Sequence, residues 1–269
     1  MPHGESWLTL LLRALGVDLG ALGTVFSAPF GQDGKSWYAH EAIGLDHVLT
    51  TLFVFALITT LALLAYGKVK DASKAIVPDA TLNARTVIEI LVGAVYGLMS
   101  DIMGPKAAKY FLPLIGTCAF FILFSNGIGL IPGFAPPTGK MNTTLALGAV
   151  IFVTTHVYGV KENGRAYFKH FLGPIIKWYA LPLMVLMLGI EIISHIARPI
   201  SLAIRLMANM AADHMVVSIF LTLVPTVWGA FLVPVPVMLL GTIVVIVQTL
   251  VFCLLSTVYI ALAIAHEEH

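Results

Sequence analysis

Residues 178–221 decide the fold, and their sequence is WYALPLMVLMLGIEIISHIARPISLAIRLMANMAADHMVVSIFL. These 44 residues have helical character and would form an α-helix about 66 Å long at a rise of about 1.5 Å per residue. Standing upright, such a helix would overshoot the roughly 30 Å hydrocarbon core of a bilayer twofold. Pro182 and Pro199 can kink it, and a proline-rich turn leads to a second long apolar helix at 237–265. The sequence therefore predicts that the last two helices form a long, strongly tilted hairpin.

The composition of the whole chain points to the same environment. Of its 269 residues, 59% are hydrophobic and 11% are charged, whereas a soluble domain carries roughly one quarter charged residues. Lys and Arg together number 15 and Asp and Glu 14, so there is no large net field that would attract nucleic acid or an acidic substrate. Cys118 and Cys253 lie within apolar runs, which favours small buried side chains over a disulfide or a metal site.

Three further apolar runs precede the hairpin, and each is long enough to cross the hydrocarbon core. Together with the hairpin they give predicted spans at about 47–66, 110–131, 141–160, 178–221 and 237–265. Glu89 and Asp101 interrupt the run Leu82–Met103, which predicts an interfacial or tucked helix. Residues 1–46 are predicted to be an external segment with an amphipathic helix, and residues 47–269 a single membrane domain. The expected fold class is an all-α polytopic membrane protein with about five membrane-crossing helices plus an interfacial helix.

Basic residues predict the orientation of the chain. They are concentrated in two connections, one with Lys68, Lys70, Lys74, Arg85, Lys106 and Lys109 and the other with Lys161, Arg165, Lys169 and Lys177. The positive-inside rule puts both connections on the cytoplasmic side and the acidic N-terminal segment outside. Five crossings then leave the C-terminus, with Glu267 and Glu268, in the cytoplasm.

Ionisable side chains recur within the apolar hairpin at helical spacing. At about 100° per residue, Glu191, Arg198 and Asn209 lie within about 40° of Arg205, and His195 extends this narrow polar stripe. An unpaired charge at the centre of a bilayer costs from about 2.5 to more than 10 kcal/mol, so Arg205 needs an anionic partner or water. The apolar centres of the first three spans contain no acid. This favours a partner in another subunit over an ion pair within the chain.

The other polar residues of the hairpin allow a functional and a structural interpretation. Glu191 and His195 stand at i,i+4, where they can take part in proton transfer or simply hydrogen-bond each other. Asp213 and His214 can line an aqueous cleft or serve an interhelical hydrogen bond, and His214 falls on the side of the helix opposite Arg205. Gln248, in the final helix, is expected to face the stripe, where it can line a channel or join helices.

Motifs of the common enzyme classes are absent from the sequence. No Gly-rich nucleotide loop, nucleophile elbow or zinc-protease helix occurs. We therefore expect no ATP binding, no cofactor and no metal in this chain.

The stretch Ser201–His214, SLAIRLMANMAADH, followed by Gln248 in the last helix, resembles the a subunit of the membrane sector of F-type ATP synthases. The order of spans, the stretch Phe124–Gly133, the helix start Asn142–Leu145 and the Glu-Glu-His end are also similar to that family. The resemblance covers most of the chain, and its arginine-centred motif is highly specific.

The resemblance implies a stator subunit, not an enzyme by itself, that couples proton flow to rotation of the c-ring. Arg205 would face the essential carboxylate of the c-ring, open it for deprotonation and block a proton short circuit between two offset aqueous half-channels. Asn209 and Gln248 would flank it, His214 would sit in the inlet half-channel from the external side, and Glu191 would line the outlet. The implied partners are the c-ring, peripheral-stalk b-type subunits, membrane lipid and protons, in an energy-coupling membrane such as the bacterial plasma (inner) membrane.

Two positions depart from the family's pattern. Gly241 occupies an inlet position at which many members carry His or Glu, and Lys140 stands where an acid often precedes the Asn of the third span. Asp213 can supply the missing inlet group. The alternatives are a sodium-translocating version of the same subunit, a structural membrane anchor whose buried charges hold an assembly together, and an intramembrane hydrolase, for which no Ser–His pair or metal triad has suitable spacing.

Overall fold

The computed structural model describes residues 7–15, 45–69, 83–131, 134, 136–164, 167, 181–223 and 234–265. These residues form helices α1 (Trp7–Ala14), α2 (Leu45–Val69), α3 (Ala84–Gly129), α4 (Met141–Asn163), α5 (Leu181–Leu223) and α6 (Pro234–Ile264), with a short 3₁₀ helix at Pro137–Gly139. Five of them, α2 to α6, are long and apolar enough to cross a membrane. The predicted fold class, an all-α polytopic membrane protein, is confirmed.

Several predictions fall wholly or partly outside the described residues. Of the N-terminal segment 1–46, the structure describes α1, which contacts α2, and the first residues of α2. Residues 178–180, the proline-rich turn between α5 and α6, and Glu267 and Glu268 lie outside the described residues.

Helix α3 joins two elements that the sequence suggested as separate, the interfacial helix and the second span. Gly104 alone departs from helical geometry within it, with φ 78° and ψ 160°. A positive φ favours glycine, and Pro105 can open the next helical segment because the first position of a helix does not need its N–H. Three of the residues counted in the first basic connection lie in α3, namely Arg85 near its start and Lys106 and Lys109 after Gly104.

The packed interior lies between α3 and the three helices that follow it. Helix α6 packs against α3, α4 and α5, while α4 packs along α5 and α2 along α3. Phe111 and Ile115 of α3 share one apolar cluster with Cys253 and Ile260 of α6. Both Cys253 and Cys118 are buried free thiols, as their apolar context predicted.

Glycines allow α5 to approach its neighbours closely. A Cβ atom at Gly148 of α4 would lie 2.8 Å from the carbonyl oxygen of Pro199 of α5. A Cβ at Gly129, at the end of α3, would lie 3.0 Å from the Met210 Cε atom, again on α5. Small residues at such crossings let helix backbones meet in lipid, where hydrophobic driving force between helices is weak. The two contacts fix α5 on either side of Arg205.

The sides of α5 and α6 that are turned away from the interior are apolar. Exposed fractions reach 69% at Ile193, 64% at Leu239 and 60% at Ile243. Helix α5 has 43 residues, about 65 Å at about 1.5 Å per residue, so the length mismatch predicted from the sequence is present. Faces of this kind suit lipid or another membrane subunit.

The contact at Gly148 predicts the effect of adding a side chain there. Gly148→Val should lower the stability of the detergent-solubilised protein by about 1–3 kcal/mol, because Val must displace the backbone of α5 at Pro199. Thermal unfolding measures the effect. The matched control is Gly189→Val on α5, where a Cβ would meet nothing within 4 Å. Equal unfolding temperatures for the two variants would contradict the close crossing.

Candidate functional site

Two polar side chains in the first half of α5, His195 and Arg198, line a narrow cavity between α4, α5 and α6. The His195 Nε2 and Glu191 Oε1 atoms are 3.1 Å apart, and the His195 side chain is 12% exposed. The Arg198 guanidinium lies over the Tyr259 ring of α6, 5.4 Å from its centroid. His195, Arg198 and Tyr259 all line the cavity, whose volume is about 10 Å³. This is room for about one water molecule.

A histidine that the sequence analysis passed over completes this cluster. His156 of α4 lines the same cavity, and its ring centroid is 5.0 Å from that of His195. Its Nδ1 atom lies 2.8 Å from the Phe152 carbonyl oxygen. The signal was present in the sequence, because an ionisable residue within a membrane span suggests function by default. Its partner on another helix could not be foreseen.

Tyr167, in the connection after α4, lies beside His156 and completes the cluster. The two ring centroids are 6.1 Å apart, and Tyr167 is buried with an exposed fraction of 8%. Burial raises the pKa of the Tyr167 hydroxyl, an effect that the positive charge of Arg198 opposes. The hydroxyl is therefore neutral at ordinary pH.

Arg205 lies in a different environment from Arg198, although the two are separated by only two helical turns. It lines an open groove whose other members are apolar or small: Ile193, Ile196, Ala197, Ile200, Ser201 and Ile204. Within the described ranges no carboxylate forms an ion pair with it. The polar stripe of the sequence analysis is thus divided, because it runs along the border between the packed and the exposed side of α5. Its first half turns inward and Arg205 turns outward.

Asn209 follows Arg205 by four residues on α5, and Gln248 lies on α6. Both side chains are partly buried. Among the described residues, neither amide makes a hydrogen bond with Arg205. That Gln248 faces the polar stripe stays a prediction.

Asp213 and His214 form a second buried polar group, on α5 near the ends of α3 and α6. The Asp213 Oδ2 and His214 Nε2 atoms are buried and have no hydrogen-bond partner among the described residues. A Cβ atom at Gly241 of α6 would lie 4.0 Å from Asp213 Oδ2. The His214 ring is within hydrogen-bonding reach of the Gly129 backbone. Buried polar atoms without protein partners are places where water binds.

The two groups and Arg205 follow one another along α5. His195 precedes Arg205 by ten residues and Asp213 follows it by eight, which correspond to about 15 Å and about 12 Å of helix rise. No set of three or more His, Cys, Asp or Glu side chains in the described part of the chain could hold a metal ion. The ionisable side chains of this arrangement can take part in proton transfer and charge pairing.

The chain is similar to known proteins over nearly its whole length. A family model described as ATP synthase A chain matches residues 48–261. The ATP synthase subunit a of Sorangium cellulosum (strain So ce56) is 44% identical over 273 residues, which cover 100% of both chains. ATP synthase subunit a 1 of Syntrophotalea carbinolica is 47% identical over 225 residues, covering 84% of this chain and 88% of the relative. The ATP synthase subunit a of Geobacter sulfurreducens is 42% identical over 217 residues, covering 81% of this chain and 86% of the relative.

These matches include every long helix, the arginine-centred motif and both buried polar groups. The chain accordingly belongs to the ATP synthase A chain family, the membrane-sector subunits that serve ATP synthesis through ion transport.

Proposed function

We propose that this chain is the proton-conducting stator subunit of an ATP synthase, which delivers protons to and from a carboxylate on a rotating c-ring. One observation carries the proposal: Arg205 lies exposed in an apolar groove, and no carboxylate pairs with it within the residues that the structure describes. A guanidinium held in lipid would cost several kcal/mol, so an acid from another membrane subunit is its expected partner.

Arg205 acts as the gate of the pathway. It attracts the ring carboxylate in its ionised form and thereby favours release of the proton that the carboxylate carried. Once the carboxylate is reprotonated on the other side, the attraction ends and the ring can move on. A fixed guanidinium does not lose its proton in proteins, so it also repels protons that would pass directly from one half-channel to the other.

The two buried polar groups of α5 are the half-channels of this proposal. Asp213 and His214 line the inlet from the external side, where Asp213, next to Gly241, supplies the acid that the last helix lacks. Glu191 and His195 line the outlet, and their direct contact makes a path for a proton. Asn209 and Gln248 flank Arg205, where amides can bind water without adding charge.

The remaining parts of the proposal concern the surroundings of the chain. The N-terminus lies outside and the C-terminus in the cytoplasm of a bacterial inner membrane, as the distribution of basic residues favours. The c-ring covers the groove that holds Arg205, and peripheral-stalk b-type subunits hold the chain against rotation. The chain binds no nucleotide itself, and ATP is made elsewhere in the complex.

A sodium-translocating version of the subunit is the alternative closest to this proposal. It would use the same Arg205 gate, because the ion is selected mainly by ligands on the ring. The two histidines that line the cavity between α4 and α5 favour protons, since an imidazole nitrogen can bind and release a proton. ATP-driven proton uptake that does not depend on added sodium would agree with proton coupling.

Replacing the gate should separate conduction from assembly. In Arg205→Ala, ATP-driven proton uptake by inverted membrane vesicles should fall about a hundredfold, because the ring carboxylate loses the charge that favours its deprotonation. The amount of assembled complex should not change, since Arg205 has no partner that holds the described helices together.

The control for this variant is Leu63→Ala, which removes an exposed apolar side chain of α2 outside this groove and should leave proton uptake near the wild-type rate. Loss of assembly in Arg205→Ala would favour a structural anchor. Persistent uptake by an assembled Arg205→Ala complex would exclude the gate.

The role of Asp213 has its own test. Asp213→Asn keeps the size of the side chain but removes its ability to bind and release a proton, so proton uptake should slow about tenfold. ATP-driven uptake at equal levels of assembled complex measures it. Glu162→Gln, at the exposed end of α4, is the control for loss of one carboxylate. Uptake at the wild-type rate in Asp213→Asn would show that another group serves the inlet.

A further inference from the structure

We infer that His156 of α4 and His195 of α5 form a proton relay across the two helices, and that this relay is the inner part of the outlet half-channel. The inference rests on the proposed function. It adds a residue from α4 to a pathway that the sequence assigned to α5 and α6 alone.

The geometry of the two rings suits a relay. Their centroids are 5.0 Å apart with an angle of 69° between the ring planes, so the edge of one ring meets the face of the other. His195 Nε2 is 3.1 Å from Glu191 Oε1, which continues the path by one helical turn toward the start of α5. Three groups that bind protons thus follow one another without a gap wider than one water molecule.

The hydrogen bond of His156 defines what its ring can do. A carbonyl oxygen only accepts, so the Nδ1 atom, 2.8 Å from the Phe152 oxygen, must carry a proton and donate. The neutral ring then presents Nε2 with a free lone pair. That atom can accept a proton while the bond to Phe152 remains intact. The carbonyl thereby holds His156 in the tautomer that a relay needs.

The cavity supplies the connection that the rings lack. It is lined by both histidines, Arg198, Thr155 and Tyr259, and its volume of about 10 Å³ holds about one water molecule. A proton arriving from the Arg205 side binds His156 Nε2, directly or through this water. It then leaves for His195 and the Glu191 carboxylate, and both rings return to their neutral forms. Only N–H and O–H bonds form and break, so the step is balanced.

The position of the cavity agrees with an outlet. His195 lies about 15 Å from Arg205 along α5, in the direction of the first residues of that helix. His156 lies seven residues, about 10 Å, before the end of α4. The end of α4 and the start of α5 adjoin the connection between these helices. The second cluster of basic residues lies in and next to this connection, which is predicted to be cytoplasmic.

The charged groups around the pair favour the passage of one proton at a time. Arg198 faces the cavity from α5, and Glu191 is the acid in contact with His195. Two protonated rings at 5.0 Å would repel each other and would both be repelled by Arg198. Tyr259 also lines the cavity, and Tyr167 lies beside His156.

The test measures ATP hydrolysis by the intact complex in membrane vesicles that contain an uncoupler, so that turnover depends on proton passage and no gradient builds up. His156→Ala and His156→Gln should each slow hydrolysis about tenfold at unchanged assembly, since neither side chain can carry a proton. Gln is included because it fills the site and can still donate to the Phe152 oxygen. Added imidazole should restore the rate of His156→Ala, whereas pyrazole, similar in size but a much weaker base, should not.

The control Val153→Ala changes an exposed residue one turn earlier on α4 and should hydrolyse ATP at the wild-type rate. A wild-type rate in His156→Gln, equal restoration by imidazole and pyrazole, or no restoration by imidazole would each overturn the relay. If His156→Ala does not assemble, the rate of His156→Gln decides. Arg205→Ala is assayed alongside. If this variant hydrolyses ATP at the wild-type rate, the proposed function fails. If Arg205→Ala is inactive while the His156 variants hydrolyse ATP at the wild-type rate, only the relay is excluded.

Discussion

A guanidinium that must remain charged in an apolar groove is the constraint on which the rest of this structure depends. Arg205 cannot lose its proton, and the groove around it offers isoleucines and small residues and no anion. Stabilisation of the charged Arg205 side chain therefore depends on an anion that the described residues do not supply. In the proposed function, the missing anion is a carboxylate of a partner subunit. Such a carboxylate would bind Arg205 when ionised and be released when protonated, so that proton transfer would be converted into movement.

The crossings of α5 with its neighbours hold the segment that carries Arg205 at a fixed place between the two polar groups of that helix. Gly148 accepts the backbone of α5 at Pro199, and Gly129 accepts the Met210 side chain on the other side of Arg205. Each glycine removes the side chain that would push α5 away, and each belongs to a different helix. Proton transfer is sensitive to distances of a fraction of an ångström, so the proposed gate on this 43-residue helix would need such contacts near the middle of the helix. The polar groups then face the interior while Arg205 faces out.

Much of this architecture could be predicted from the sequence, because the bilayer fixes the length and the polarity of each span. The five long apolar helices and the excess length of α5 follow from that rule alone. The break at Gly104 could not be predicted in this way, since Gly followed by Pro is equally typical of a loop and of two helices that meet directly. The pairing of His156 with His195 was also out of reach. Periodicity shows which residues share a face of one helix, whereas a contact between helices depends on their relative rotation and height.

The order of groups along α5 explains why proton flow and rotation would be coupled. His195 and Asp213 lie on either side of Arg205, about 27 Å apart in helix rise, and each belongs to a separate buried group. A proton that crossed directly would have to pass a fixed positive charge in surroundings of low polarity, where repulsion acts at its strongest. The remaining route is to bind a carboxylate at one end, travel with it away from Arg205 through lipid in neutral form, and leave at the other end. In the proposed function, this barrier at Arg205 makes the longer path, and with it rotation, the favourable one.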